Sequence, residues 1–157
     1  MADVELRLIE DSDLDVLFDQ MRDPESVQMA AFTAKDPSDR EAFDARMSRS
    51  RTSPDVILRA VTRDGHLLGS IASFVIDDHT EITYWIDRSA WGQGIASQAV
   101  ALFLGAVAVR PLYACAASDN VGSLRVLQKA GFTIINTEIS YASARDAQIE
   151  ETCLRLG

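Results

Sequence analysis

The chain has 157 residues, of which 47% are hydrophobic and 25% are charged, and this length and composition favour one globular domain over residues 1–157. Its net charge of −9 argues against a general affinity for nucleic acid or for an anionic membrane, since both need a basic surface. The same charge permits a cationic substrate such as an amine.

The cysteines and the first residues bear on the cellular compartment. Cys115 and Cys153 fall in separate predicted strands, and their spacing indicates neither a metal site nor a disulfide framework, so we expect two buried thiols. The opening MADVELRLIEDSD has neither a basic region nor an apolar stretch of signal-peptide length. No run approaches the about 20 apolar residues of a membrane helix, and we expect a cytoplasmic protein.

The chain begins with a predicted strand and a predicted helix. Residues 4–8 alternate between polar and apolar side chains, which is typical of a strand. Ser12 is expected to cap a helix whose apolar residues recur at helical spacing up to Met21. Asp23-Pro24 then places a capping carboxylate before a proline, which is typical of a helix start.

A second Asp-Pro pair, at residues 36–37, predicts a further helix that extends through Met47. The stretch SRSRTSP at 48–54 is predicted to be a loop. Three strands follow at 56–62, 67–76 and 81–86. Short turns separate them, the first of which contains Asp-Gly, so these strands are expected to form an antiparallel meander.

The second half of the chain alternates helices and strands. Its predicted elements are a helix over 95–106, a strand over 112–116, a helix over 120–130, and strands over 132–139 and 149–156. Gly131 is expected to cap the second helix. The fold class is therefore α/β, with a mixed, mostly antiparallel sheet of six to seven strands flanked by about four helices.

The stretch WGQGIA at 91–96 places two glycines between a strand and a helix, and three interpretations are open. It could be a tight turn and no more. It could be a dinucleotide-binding turn, although the third glycine position is Ser97 and the preceding strands form hairpins. It could also be a diphosphate cradle, because unpaired N–H groups and the helix dipole attract anions without needing lysine.

Three segments together resemble the GNAT acyltransferases, which use acetyl-CoA. They are the strand 81–86, the turn 91–96, and ASDNVGSLRVLQKAGF at 117–132. The family motif Q/R-x-x-G-x-G/A is matched in its second half, with Trp91 in the first place. That aromatic, the later segment, and RDPESV at 22–27 resemble the RimJ/RimL-like branch. The resemblance spans nearly the whole chain and implies the GNAT fold.

The resemblance also implies how acetyl-CoA is held. The turn would grip the diphosphate, backbone groups at the end of the preceding strand would bind the pantetheine and meet a developing oxyanion, and Asn120 would contact the pantetheine arm. The implied cofactor-binding residues are Trp85, Ile86, Asp87, Trp91, Gly92, Gln93, Gly94, Ile95, Ala96, Asn120 and Ser123.

Catalysis needs a neutral amine and a tolerable leaving group. Glu81, which begins the strand beside the expected acetyl site, is the candidate base, directly or through a water, and His79 is an alternative. Many family members carry a tyrosine acid where this chain has Leu127, and the branch suggests Ser123 as the substitute. Tyr141 could line the acceptor pocket, or it could be an ordinary aromatic residue.

The sequence therefore predicts an N-acetyltransferase that moves an acetyl group from acetyl-CoA to a primary amine by direct attack in a ternary complex. A peptide N-terminus is the favoured acceptor and a small amine the next. We expect no metal, nucleic acid or membrane partner, and a homodimer is open. The alternative is a non-catalytic CoA-binding regulatory module.

Overall fold

A computed structural model describes residues 3–157 and contains a seven-stranded mixed sheet with five α-helices in that range. The elements are β1 Val4–Arg7, α1 Leu14–Met21, α2 Pro24–Ala30, α3 Arg40–Thr52, β2 Ile57–Arg63, β3 His66–Ile76, β4 His79–Ile86, α4 Ile95–Ala106, β5 Leu112–Ala117, α5 Val121–Lys129, β6 Thr133–Ala142 and β7 Ala147–Leu156. Short 3₁₀ helices cover Asp11–Asp13 and Arg88–Ala90. The predicted α/β class and mixed sheet are confirmed, with one helix more than expected.

The strand order is β1-β2-β3-β4-β5-β7-β6. All neighbouring pairs are antiparallel except β4 and β5. The predicted meander is β2–β3–β4, and its two turns contain residues with positive φ: Asp64 and Gly65 in the first, Asp77 and Asp78 in the second. Such turns match the twist of the flanking strands, which explains why short Asp-rich connections join them.

The sheet opens between β4 and β5. These strands pair only at Thr80 with Leu112 and Glu81 with Tyr113. Beyond those pairs, β4 continues to Ile86 and β5 to Ala117 without hydrogen-bonding to each other. The two strands therefore diverge, and a gap forms in the middle of the sheet.

Each face of the sheet carries its own hydrophobic core. On the α4–α5 face, Val100, Phe103 and Leu127 pack with strand residues such as Ile71 and Ile82. On the α1–α3 face, Leu17, Phe18 and Phe43 pack with Ala60. Because side chains alternate along a strand, successive residues of β4 face opposite helical layers. Ile82, Tyr84 and Ile86 belong to the α4–α5 face, and Glu81, Thr83 and Trp85 to the α1–α3 face.

Three predictions for the N-terminal helices are wrong. Ser12 lies inside a 3₁₀ turn and does not cap α1; instead Asp13 accepts a hydrogen bond from the Glu10 N–H at 2.7 Å. The helix expected at Pro37 begins at Arg40, because Asp39 caps it by accepting from the Ala42 N–H at 3.0 Å. Residues 48–52, predicted to be a loop, are the last turn and a half of α3.

The expectation of two separate thiols is also wrong. Cys115 of β5 and Cys153 of β7 are register partners with Cα atoms 4.1 Å apart, and they form a disulfide. The residues are 38 apart in the chain, so only the antiparallel pairing of β5 with β7 reveals their proximity. Within residues 3–157, none of the helices has both the length and the apolarity needed to cross a membrane.

Candidate active site

A groove of about 570 Å³ lies on the α4–α5 face, where β4 ends. Its walls come from the end of β4, the following turn, the first residues of α4 and α5, and one side of α2. The predicted cofactor-binding residues that line it are Trp85, Ile86, Trp91, Gly92, Gly94, Ile95, Ala96, Asn120 and Ser123. Asp87 and Gln93 are not among the lining residues; the Gln93 side chain accepts a hydrogen bond from Arg63 at 2.8 Å.

The glycine turn leaves its backbone open. Gly92 and Gly94 have φ values of +77° and +76°, a conformation that strains residues with a side chain. A Cβ at Gly92 would meet no atom within 4 Å, and one at Gly94 would meet only the Gln98 side chain, at 4.0 Å. The glycines therefore serve the backbone conformation, and no part of the described chain fills the space beside them.

The N-terminus of α4 also leaves backbone groups open to a ligand. Gly94 is its N-cap residue, and no side-chain hydrogen bond caps the helix. The first N–H groups of a helix have no intrahelical partner, and the helix dipole makes this end attractive to anions. An uncapped helix start behind two open glycines therefore fits a diphosphate. The preceding strands form an antiparallel meander, which does not match the parallel crossover of a dinucleotide-binding fold.

A second cavity of about 330 Å³ reaches through the gap between β4 and β5. It is lined from the α1–α3 face by Thr83, Trp85 and Glu151, and from the α4–α5 face by Asn120 and Ser123. Tyr84, Trp85, Asn120 and Ser123 line both the groove and this cavity. A ligand in the groove and a ligand in the cavity would thus meet inside the sheet.

Tyr84 and Ser123 form a hydrogen-bonded pair at this junction. The Tyr84 hydroxyl lies 2.7 Å from the Ser123 hydroxyl. Burial raises the pKa of Tyr84, and the hydrogen bond with Ser123 opposes part of that rise. The phenol is therefore protonated at neutral pH and can donate. Tyr84 was missed from the sequence, although strand alternation places it on the face opposite Trp85, towards the helix that carries Ser123.

The predicted base Glu81 lies at the closed end of the gap, where β4 still pairs with β5. Its carboxylate is 3.0 Å from Nε2 of His79, and it is not among the residues that line the cavity. Tyr141 also lies away from the cavity; it is exposed and donates to Asp146 at 2.6 Å.

Glu151 of β7 is a second residue missed from the sequence. It is half-buried and lines the cavity, with the Ser140 hydroxyl 3.4 Å from one carboxylate oxygen. Burial raises the pKa of Glu151, the hydrogen bond from Ser140 lowers it, and the negative charges of Glu138 and Glu81 raise it further. Alternation along β7 could have placed Glu151 on the same face as Cys153, but no sequence signal brings β7 beside β4.

Two charged contacts hold α2 and the β6–β7 turn at the groove. Arg88 donates to Asp23 at 2.9 and 3.1 Å, and this contact holds the pKa of the Asp23 carboxyl below its ordinary value. Arg145 pairs with Asp119 and donates to the Gln28 carbonyl at 3.0 Å. These contacts fix the wall that α2 contributes. Among residues 3–157, no group of three or more side chains is arranged to bind a metal ion.

The family model described as an acetyltransferase (GNAT) domain matches residues 3–133. The chain belongs to the GNAT acetyltransferase family. The protein is therefore an acyltransferase, as the motif resemblance predicted, and the GNAT fold is confirmed for it. The sequence matches no curated protein.

Solved structures with the same fold include RimJ/RimL-like relatives. Spermidine N-acetyltransferase from Vibrio cholerae, in complex with CoA and spermine, has a TM-score of 0.85 and 13% identity, over 98% of this chain and 95% of that one. RimL, a ribosomal L7/L12 α-N-protein acetyltransferase in complex with CoA, has a TM-score of 0.84 and 18% identity, over 98% and 93%. RimJ from Mycobacterium smegmatis, in complex with CoA-disulfide, has a TM-score of 0.78 and 20% identity, over 98% and 81%.

Proposed function

We propose that this protein transfers an acetyl group from acetyl-CoA to a primary amine, by direct attack of the amine in a ternary complex. The observation that carries the proposal is the continuity of two spaces: a groove that ends at an open, uncapped helix N-terminus, and a cavity that meets it through the gap between β4 and β5. One space suits a long anionic ligand and the other a smaller partner.

The residues that would hold acetyl-CoA are those the sequence suggested. The N–H groups around residues 92–96 would bind the diphosphate, with Trp91 beside them. The backbone at residues 85–87, on the side that does not pair with β5, would bind the pantetheine, with Asn120 and Ser123 across the groove. When bound, acetyl-CoA supplies an acetyl group activated as a thioester.

We propose Ser123 and Tyr84 as the groups that handle the proton on the leaving-group side. The Tyr84 phenol would donate its proton, and the Ser123 hydroxyl would orient that phenol through the bond of 2.7 Å. A free thiol has a pKa near 8.5 and leaves tolerably as thiolate near neutral pH, so the donor accelerates the reaction without being indispensable.

The acceptor is proposed to be an N-terminal peptide amine first and a small amine second. A peptide α-amino group has a pKa of about 7.7–8.0, so its neutral form is accessible near pH 7, whereas lysine at about 10.4 is much harder to deprotonate. Glu81 is proposed to assist deprotonation of the amine indirectly, because its carboxylate is hydrogen-bonded to His79. RimL and spermidine N-acetyltransferase, whose names give a protein N-terminus and a polyamine as acceptors, support both classes.

The test is free-thiol release from acetyl-CoA with a panel of acceptors. The panel contains peptides with free N-termini, Nα-blocked peptides that carry lysine, polyamines and aminoglycosides. We expect turnover that requires a primary amine and is fastest with one class. Tight CoA binding without turnover on any acceptor would instead establish the rival function, a non-catalytic CoA-binding module.

A homodimer is a lesser part of the proposal. β6 is an edge strand with exposed Ile134, Ile135 and Ile139, and an unpaired edge can pair with its own copy in antiparallel fashion. Light scattering distinguishes a dimer from the 17.2 kDa monomer.

A further inference from the structure

The cavity on the α1–α3 face has one feature that the motifs do not explain: the carboxylate of Glu151. Within the described chain, the charged side chains that line this cavity are Arg46 of α3 and Glu151 of β7. Glu151 is thus its only carboxylic acid. The other lining groups on this face are mainly apolar or uncharged, including Phe32, Thr33 and Thr83. A cationic ligand entering this cavity would find its only anionic partner in Glu151.

The register of the sheet fixes where Glu151 stands. It pairs with Ala117 of β5 and with Glu138 of β6, so it lies at the open end of the gap rather than at the closed end. Glu81, by contrast, pairs with Tyr113 at the closed end and is engaged by His79. Glu151 therefore lies along the part of β5–β7 that no longer touches β4, where the cavity passes through the sheet.

The surroundings of Glu151 suit a group that takes and releases a proton. The negative charges of Glu138 on β6 and Glu81 on β4 raise the pKa of Glu151. His79 is hydrogen-bonded to Glu81, and Arg46 is the cationic side chain that lines the same cavity. The only hydrogen bond to the Glu151 carboxylate from the described residues is the long one from Ser140. No cation of the described chain pairs with it, so the carboxylate can pair with a cationic ligand.

We propose that Glu151 is a catalytic residue that binds the acceptor as an ammonium ion and accepts its proton. This inference rests on the proposed acetyltransferase function and adds a direct proton acceptor that the family motifs do not contain. It also defines the acceptor class: a primary amine that arrives protonated and needs a carboxylate to become nucleophilic.

The proton balance of the reaction follows from this assignment. The ammonium group carries three protons. One passes to the Glu151 carboxylate, which frees the nitrogen lone pair to form the N–C bond. As the C–S bond breaks, its electron pair stays on sulfur, which takes the proton of the Tyr84 phenol. The second ammonium proton, which the nitrogen loses as the amide forms, passes through the Tyr84–Ser123 pair and restores the phenol. The third remains on the amide nitrogen. Glu151 then loses its proton to solvent.

The experiment compares Glu151→Gln with the matched control Glu150→Gln. Glu150 is the adjacent carboxylate, exposed, and directed to the opposite face of β7. We measure kcat/KM against pH from 6 to 9 with the best acceptor, and the Kd of acetyl-CoA by calorimetry. We expect E151Q to lose on the order of 100-fold in kcat/KM at pH 7, as is typical for removal of a general base, with an unchanged Kd. The loss should shrink as rising pH neutralises the amine.

Two further measurements keep the test decisive. E151D, which keeps a carboxylate, should recover at least about tenfold over E151Q. In protein labelled with ¹³C at the glutamate carboxyls, the resonance that disappears in E151Q identifies Glu151, and we expect it to shift when the amine is added without CoA.

The outcomes separate the two proposals. If E151Q keeps more than about a third of the wild-type kcat/KM across the pH range, the role of Glu151 is overturned while the acetyltransferase function stands. If the wild-type protein binds CoA but turns over no amine, and the Glu151 resonance does not shift when the amine is added, both proposals are overturned.

Discussion

The groove on the α4–α5 face and the cavity on the α1–α3 face are built in different ways. The groove is formed mostly by two continuous segments, residues 84–97 and 119–126, and its expected ligand contacts are main-chain N–H groups. The cavity draws its lining from the ends of α1 and α2, the connection between α2 and α3, α3, the start of α5, and strands β4, β5 and β7. A site made of local backbone leaves a motif in the sequence, and a site made of distant side chains does not.

The largest effect should come from Gly69, which lies against the backbone of Trp85, a residue that lines both the groove and the cavity. A Cβ on Gly69 would stand 1.9 Å from the carbonyl oxygen of Trp85, and that backbone cannot yield without moving the end of β4. Gly69→Ala should lower the free energy of unfolding by about 3 kcal/mol and impair both CoA binding and acetyl transfer. Chemical denaturation measures the first effect.

Gly65→Ala is the matched control in the same hairpin. Gly65 has a φ of +75° but no atom within 4 Å of its Cβ position, so its substitution should cost only about 1 kcal/mol. Equal losses in the two variants would show that backbone conformation, and not the close approach to Trp85, explains the glycine.

Tyr84→Phe should separate binding from chemistry. Removing the phenol oxygen takes away the proposed proton donor, and we expect kcat to fall on the order of 100-fold while the Kd of CoA stays within about twofold. Because burial raises the pKa of Tyr84 above that of a free phenol, the wild-type donor should stay protonated throughout the neutral pH range.

Tyr113→Phe is its control, since the Tyr113 ring packs at a tilt against His79, with centroids 4.7 Å apart, on the other face of the sheet. Retention of full kcat by Tyr84→Phe would remove this residue from the mechanism and leave the thiolate to depart unprotonated.

Gly94→Val should weaken CoA binding in the groove without changing the cavity on the other face. A β-branched residue at a φ of +76° costs about 1–2 kcal/mol, and its methyl groups would enter the space proposed for the diphosphate. We expect the Kd of CoA to rise at least about 30-fold, as measured by calorimetry. Gly105→Ala, in the exposed part of the same helix, should bind CoA normally and gain about 0.5–1 kcal/mol of stability.

Glu81→Gln should have the smallest effect. Glu81 is proposed to act on the amine only indirectly, through its contact with His79, so kcat/KM at pH 8 should change by no more than about fivefold. The negative charge of Glu81 raises the pKa of Glu151, and its removal should move the acid limb of the pH profile to lower pH. A loss as large as that of E151Q, with no such movement, would make Glu81 the direct base.

The fold was largely predictable because its signals are local. The meander was visible in alternating residues and Asp-rich turns, and α4 and α5 in their apolar spacing. The errors arose where two local signals competed. Asp36-Pro37 and Asp39 can both begin a helix, and the Asp39 carboxylate makes the capping bond while Asp36 instead accepts from the Ser38 N–H in a turn.

The groove of the candidate site was predictable from the sequence, and most of the cavity was not. Nine of the eleven predicted cofactor-binding residues line the groove, because their roles depend on a turn and two helix starts. Glu151 and the Cys115–Cys153 disulfide could not be predicted, since both depend on β7 inserting between β5 and β6. Tyr84 was within reach of strand alternation, but its partner Ser123 is 39 residues away.

The central claim is that main-chain N–H groups after β4 bind a diphosphate. The most direct measurement is the ¹H–¹⁵N amide spectrum of the protein titrated with CoA and, separately, with pantetheine, which lacks the diphosphate. We predict that CoA shifts the amide resonances of residues 92–97 and that pantetheine leaves them in place. If CoA binds while these resonances do not move, the claim is contradicted.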